Sequence, residues 1–101
     1  MSASSKLLPP IHPGEHLAEE LDALKMSARA LAGHLGVPTN RVTSIINGQR
    51  GITGDTALRL GHFFGTGPDI WLNLQSQYEI DLARQTSGDE ISRLPTLQKI
   101  A

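Results

Sequence analysis

The twenty residues from Ala28 to Asn47 restrict this chain more than any other stretch. Counted from Ala28, the apolar residues Leu31, Leu35, Val37, Val42 and Ile45 fall at the fourth, eighth, tenth, fifteenth and eighteenth positions. Two small residues join that series, Ala32 at the fifth position and Gly36 at the ninth. The apolar spacing builds two short helices around a turn, each with one face to bury. Ala32 stands where two steeply crossed helices approach closest, so a longer side chain there would push them apart. Gly36 stands where the turn needs φ > 0, which glycine adopts without steric cost. A plain helical hairpin shares the apolar periodicity but does not require both small residues.

Helical punctuation continues on either side. Pro13 has a ring-fixed φ suited to a first turn, Glu15 lies near the positive end of the helix dipole, and Leu17, Leu21 and Leu24 recur at helical spacing. This predicts a first helix over Pro13–Leu24. Ser27 is placed to N-cap a second over Ala28–Leu35, which Gly36 ends. Val37-Pro38-Thr39 makes a turn, and Asn40–Asn47 reads as the third helix, closed by Asn47-Gly48. A fourth is expected near Gly54–Phe64, with Ala57, Leu58, Leu60, Phe63 and Phe64 on its buried side, until Gly65-Thr66-Gly67 breaks it. Pro68-Asp69 opens the fifth and longest helix, predicted to run to Gln85. Ser87-Gly88-Asp89-Glu90 has the form of a capping box that starts one more short turn before Pro95, and the tail after Thr86 reads as loosely structured. Residues 1–10, with Lys6 and the Pro9-Pro10 pair, read as a flexible or extended lead-in.

The composition agrees with an all-α chain. Aromatic residues make up 4%, and β-branched runs are scarce, which points away from a sandwich or barrel. The length of 101 residues suits one domain. With no cysteine there are no disulfides, thiolate nucleophiles or zinc-finger sites, and a reducing compartment fits. No stretch approaches the roughly 18 apolar residues of a membrane span, and the first residues lack a basic segment followed by an apolar one, so a cytoplasmic location is expected. The net charge of -1 conceals an uneven distribution. Residues 1–24 hold Lys6 against Glu15, Glu19, Glu20 and Asp22, whereas residues 25–62 hold Lys25, Arg29, Arg41, Arg50 and Arg59 against Asp55 alone. The remainder is acidic again. A basic centre between acidic flanks suits a polyanion on one face and a cationic partner elsewhere.

The twenty-residue unit resembles the helix-turn-helix of the lambdoid phage repressors and their bacterial relatives, the Xre family, over about residues 13–65. A narrower resemblance lies outside that unit. Ile11-His12-Pro13-Gly14-Glu15 ahead of Leu17 and Glu20-Leu21, then Asn47-Gly48-Gln49-Arg50-Gly51-Ile52-Thr53, Ala57-Leu58-Arg59-Leu60, Phe64-Gly65-Thr66 and Trp71-Leu72-Asn73-Leu74-Gln75, are similar to the HigA family of antitoxins. That block spans residues 11–83. The resemblance implies a five-helix lambda-repressor-like helix-turn-helix domain over residues 11–86 with an extended, dimerising last helix, followed by a short polar tail over residues 87–101. It also implies a dual role. Such a chain neutralises a HigB-type toxin, a RelE-like messenger-RNA endonuclease, and represses its own operon by binding double-stranded operator DNA as a homodimer.

With the third helix in a major groove, its N-terminal end and the side opposite Val42 and Ile45 meet base edges. Thr39, Asn40, Thr43 and Ser44 occupy that side. Asn40 is the leading base reader, since its amide donates to and accepts from one adenine edge, and the threonines offer a methyl group to thymine. Arg29, Arg41 and Arg50, with Ser27 at the start of the second helix, are the expected phosphate contacts, joined by Asn47 and Gln49. Trp71, Leu74, Tyr78 and Leu82 form a stripe on the fifth helix that a small core cannot hide entirely, so a second copy is expected to cover it. Such a dimer sets two reading helices about 34 Å apart.

Catalytic chemistry has no visible residues, and no cofactor or metal is expected. His12 and His16 are four apart, but His12 precedes the helix and no HExxH pattern exists. Phosphate-binding glycine loops and a nucleophile elbow are likewise missing. Two other readings stay open on sequence grounds. One is a stand-alone Xre-type repressor without a toxin; the other is a small metal-dependent hydrolase using His12, His16 and one acid.

Overall fold

The backbone of Gly14, in the first turn of the first helix, lies against the Ile45 carbonyl near the end of the third. The computed structural model describes residues 9–100. The lead-in expected over residues 1–10 therefore falls almost wholly outside the described residues, and residues 9–12 carry no helix. Five helices follow: α1 (Pro13–Leu24), α2 (Ala28–Leu35), α3 (Thr39–Ile46), α4 (Gly54–Phe64) and α5 (Asp69–Ser92), with a terminal turn α6 (Leu97–Ile100). No strand occurs among the described residues.

Each helix begins and ends as its local chemistry requires. His12 caps α1 through Nδ1, which accepts the Gly14 N–H at 2.9 Å, and Pro13 supplies the first turn. Lys25 ends α1 in the left-handed region at φ 55°, its N–H donating to the Asp22 carbonyl. Ser27 Oγ accepts the Ala30 N–H at 3.1 Å, so the predicted cap of α2 forms. Gly36 closes α2 at φ 71°, the left-handed turn that its position in the sequence predicts. Helix α3 starts at Thr39, one residue ahead of the expected Asn40, with Pro38 at its cap. Thr53 caps α4, its Oγ1 accepting the Thr56 N–H.

The core gathers one face from every main helix: Leu17 and Leu21 from α1, Leu31, Ala32 and Leu35 from α2, Val42 and Ile45 from α3, Ala57 and Leu60 from α4, and Trp71 from α5. Ile52, in the loop after α3, completes it. Burying each large aliphatic side chain stabilises the fold by about 1.5–3 kcal/mol. Leu58 does not belong to this set. It stands one residue, and so about 100° of helix, from buried Ala57, and is 63% exposed.

Helix α5 also departs from expectation. It continues through Ser87-Gly88-Asp89-Glu90 to Ser92, so those residues lie inside a helix and cap nothing. A glycine within a helix costs only about 1 kcal/mol, and the neighbouring hydroxyls turn back onto the helix itself. Thr86 Oγ1 donates to the Leu82 and Ala83 carbonyls, and Ser92 Oγ donates to the Asp89 carbonyl at 2.7 Å. Pairs one turn apart, Gln77 with Asp81 and Gln75 with Glu79, support the same run. The molecule is accordingly elongated, 53 × 30 × 21 Å.

Two glycines mark backbone contacts that exclude any side chain. A Cβ on Gly14 would overlap the Ile45 carbonyl, and one on Gly61 would overlap the Gly67 carbonyl. Gly33, inside α2, has nothing within 4 Å of that position. We therefore expect Gly14→Ala to lower stability by about 3 kcal/mol, and Gly33→Ala to raise it by about 0.5–1 kcal/mol. Urea unfolding followed by helical circular dichroism measures both.

Candidate nucleic-acid interface

Helix α3 is short, and its burial is one-sided. Val42 and Ile45 are each 1% exposed against α1 and α2, whereas Thr39 and Asn40 on the first turn are exposed. The turn leading into it is fixed by the Val37 N–H donating to the Ala32 carbonyl at 3.1 Å, around left-handed Gly36. Ala32 is 1% exposed where α2 packs on α3, as the requirement for a small residue anticipates. Beyond α3, the Gln49 and Arg50 N–H groups both donate to the Ser44 carbonyl, which folds the following loop back onto the helix end.

The four expected base readers differ in their freedom. Asn40 is exposed and its amide has no side-chain partner among the described residues. Thr39 is exposed at the helix start. Thr43 is half-buried and its hydroxyl lies 3.4 Å from the Thr39 and Asn40 carbonyls, which leaves its methyl group as the outward feature. Ser44 is half-buried. Among the expected phosphate contacts, Ser27 is exposed with its oxygen serving as the α2 cap, and Arg29, Asn47, Gln49 and Arg50 are exposed. Arg29 and Arg50 form no ion pair among the described residues.

Arg41 is different, because it is held. Its Nη1 donates to Asp55 Oδ2 at 2.8 Å, and the same oxygen accepts from Arg59 Nε at 2.9 Å. Arg59 also donates through Nη1 to the Leu35 carbonyl at 2.8 Å, the last carbonyl of α2. The Arg59 and Arg41 guanidiniums hold the Asp55 carboxyl below the usual carboxylate value. The Asp55–Arg59 pair, four residues apart on α4, has the spacing of a helix-face ion pair. Its third member comes from another helix, and no local spacing announces it.

A second unanticipated tie joins α5 to the loop after α3. Gln75 Oε1 accepts the Ile52 N–H at 2.8 Å, and its Nε2 donates to Glu79. A Cβ at position 51 would come within 2.9 Å of the Gln75 amide, so a side chain there would require that amide to shift.

The stripe on α5 peels away from the core along its length. Trp71 is 5% exposed and sits beside Phe64 with ring centroids 5.8 Å apart, so it is a core residue of the protomer and not available to a second copy. This corrects its expected place in a dimer interface, and the reason is position: it lies in the first turn, where α5 still packs on α4 and α1. Leu74 and Tyr78 are half-buried, Tyr78 edge-on to His12 at 4.9 Å, and Leu82 is 42% exposed. His12 Nδ1 is committed to the α1 cap, and among the described residues no group of three ligating side chains converges with it.

The helix-turn-helix family HTH_3 matches residues 17–71. The chain is 61% identical to an addiction module antidote protein of the HigA family from Coxiella burnetii, with a TM-score of 0.86 over 88% of this chain and 98% of that one. It is 42% identical to the antitoxin HigA of Pseudomonas aeruginosa, solved with the higBA promoter, at a TM-score of 0.82 over 87% and 98% of the two chains. Virulence-associated protein I of Dichelobacter nodosus is 48% identical over 84 residues, 82% of this chain and 78% of that protein.

Because the Asp55 carboxyl titrates below its ordinary 3.8, its pairing with two arginines stabilises the fold fully above that pH and loses the contribution as pH falls through the lowered value. The stability difference between the parent chain and Asp55→Asn is therefore expected to favour the parent at neutral pH and to vanish in strong acid. Thermal unfolding across that range checks it; a difference independent of pH would contradict the assignment.

Proposed function

Because the chain belongs to the helix-turn-helix family, in its HigA antitoxin branch, we propose that it binds its own operator DNA as a dimer and neutralises a cognate HigB-type toxin. The observation that carries the DNA half is the one-sided burial of α3, which leaves Thr39 and Asn40 outward on a helix anchored through Val42 and Ile45. In this reading Thr39, Asn40, Thr43 and Ser44 meet base edges, Asn40 by a paired contact to adenine and the threonines by their methyl groups. Arg29, Arg41 and Arg50, with Ser27, Asn47 and Gln49, neutralise or bond phosphates and set the register. The Pseudomonas antitoxin HigA solved with the higBA promoter supports DNA binding as the activity.

The toxin half is supported by charge. Glu15, Glu19, Glu20 and Asp22 are all exposed on α1, and none is in an ion pair among the described residues. Such a face suits a basic protein, and a RelE-like endonuclease that handles messenger RNA is of that kind. The dimer is supported by the far half of α5, where Leu82 and Ile80 are 42% and 47% exposed. A separate open groove of about 400 Å³, lined by Ile80, Ala83, Arg84, Gly88, Ile91 and Ser92, lies on the other side of the helix from Leu82. We assign the dimer contact to the outer end of the stripe at Leu82, with Leu74 and Tyr78 at its inner margin, whereas Ile80 stands about 200° around the helix from Leu82 and lies outside it.

The deciding experiment is a titration of the full chain against its own upstream DNA and a scrambled duplex at several salt concentrations. Preference for the upstream duplex supports operator binding, and equal affinity for both refutes it. Asn40→Ala is expected to lose about 1–3 kcal/mol of discrimination at one base position, whereas Arg50→Ala weakens all sequences alike and lowers the salt slope by about 1. Sedimentation at micromolar concentration tests the dimer, which a purely monomeric species would overturn. Co-purification with a small basic protein encoded beside this chain, and rescue of growth when that protein is induced, tests the toxin.

A further inference from the structure

We propose that Asp55 is a positioning residue for DNA binding: it holds the Arg41 guanidinium in the place from which that side chain engages a phosphate. The proposal rests on the operator-binding reading above and adds to it a residue of the opposite charge from any expected contact.

Arg41 is the single cation on α3, so its placement decides how the reading helix meets the backbone of a duplex. A guanidinium carries five N–H donors. Asp55 takes one of them, on Nη1, and the side chain is 29% exposed. The other donors remain for an external acceptor, with the fork fixed in direction rather than free to sample its rotamers. Asp55 in turn is fixed from behind. Arg59 reaches the same Oδ2 through Nε and anchors on the Leu35 carbonyl through Nη1, beside the left-handed turn at Gly36. One carboxylate oxygen therefore ties the first turn of α4 to α3, and Arg59, bound to the same oxygen, ties α4 to the end of α2. Two arginines against one aspartate leave the group with net positive charge, so holding Arg41 does not abolish its attraction for an anion.

Two effects of the carboxylate have opposite signs, which makes the role testable. As a bare negative charge near a polyanion, Asp55 weakens binding, and removing it strengthens binding to any duplex. As the anchor of Arg41 it strengthens binding, and removing it costs affinity.

The test uses the full chain, a labelled duplex from its own upstream region and a scrambled duplex, over a range of salt. Parent, Asp55→Asn, Arg41→Ala and the double variant are compared, with circular dichroism and thermal unfolding recorded for each. Positioning predicts that Asp55→Asn binds the upstream duplex about tenfold more weakly, with a salt slope lower by about 1. It also predicts that the double variant is no weaker than Arg41→Ala alone, because the two residues act as one unit. Tighter or unchanged binding by Asp55→Asn overturns the proposal, as does a double variant whose losses multiply. A loss of folding would leave the salt slope of the folded fraction unmoved, and Arg41→Lys covers that case. It keeps the charge but not the fork, so about fivefold weaker binding at unchanged unfolding is expected, and unchanged affinity overturns the proposal. A parent chain that does not distinguish the two duplexes refutes operator binding itself, whereas a selective parent with an indifferent Asp55→Asn refutes only the role of Asp55.

Discussion

Apart from the Arg41–Asp55 pair, what holds α3 acts on its inner face or at its ends. Val42 and Ile45 are sealed against α1 and α2, the backbone of Gly14 presses on the Ile45 carbonyl, and the turn before the helix is closed by left-handed Gly36. At the far end, the loop folds back onto the Ser44 carbonyl and is tied to α5 through Gln75. A helix of eight residues is too short to persist alone in water. It exists because the surrounding helices supply the burial, and because they supply it from one side, the opposite side is rigid without being covered. Recognition elements need that combination, since a reading side chain displaced by an ångström loses its bond.

The parts of this design that obey local rules could be read directly from the residues. Proline at a helix start, serine at a cap, glycine at φ > 0 and apolar spacing at three and four residues locate α1, α2 and α4, and α3 to within one residue. Local rules failed where two of them competed. Ser87-Gly88-Asp89-Glu90 carries the letters of a helix start, yet an existing helix needs no new cap, and the hydroxyls on either side of the segment, Thr86 and Ser92, bond to the preceding turns. Leu58 shows a similar limit: an apolar residue next to the buried stripe shares its helix but not its face.

The site was legible to the same depth. Residues that need no partner, such as Asn40 on the exposed first turn of α3, follow from helical geometry. Residues that act through a partner distant in the chain do not. Arg41 and Asp55 are 14 residues apart, and Gln75 and Ile52 are 23 apart, so the pairs exist only once the helices have packed. Trp71 departs from its expected place for the converse reason. A stripe of Trp71, Leu74, Tyr78 and Leu82 has a uniform period, but the core against which it packs ends part-way along, and exposure rises from one end to the other.

That gradient gives α5 mechanical meaning. Its 24 residues span about 36 Å at 1.5 Å per residue, anchored at one end through Trp71 and standing clear of the body at the other. The helix is thus a stiff spoke whose outer face has a set azimuth relative to α3. Adding or deleting one residue between Leu74 and Ile80 would swing that outer face through about 100° while moving it only about 1.5 Å along the axis. Whatever grips the far end would then meet α3 at another bearing, so the residue count of this span, more than its composition, governs the orientation of the two ends.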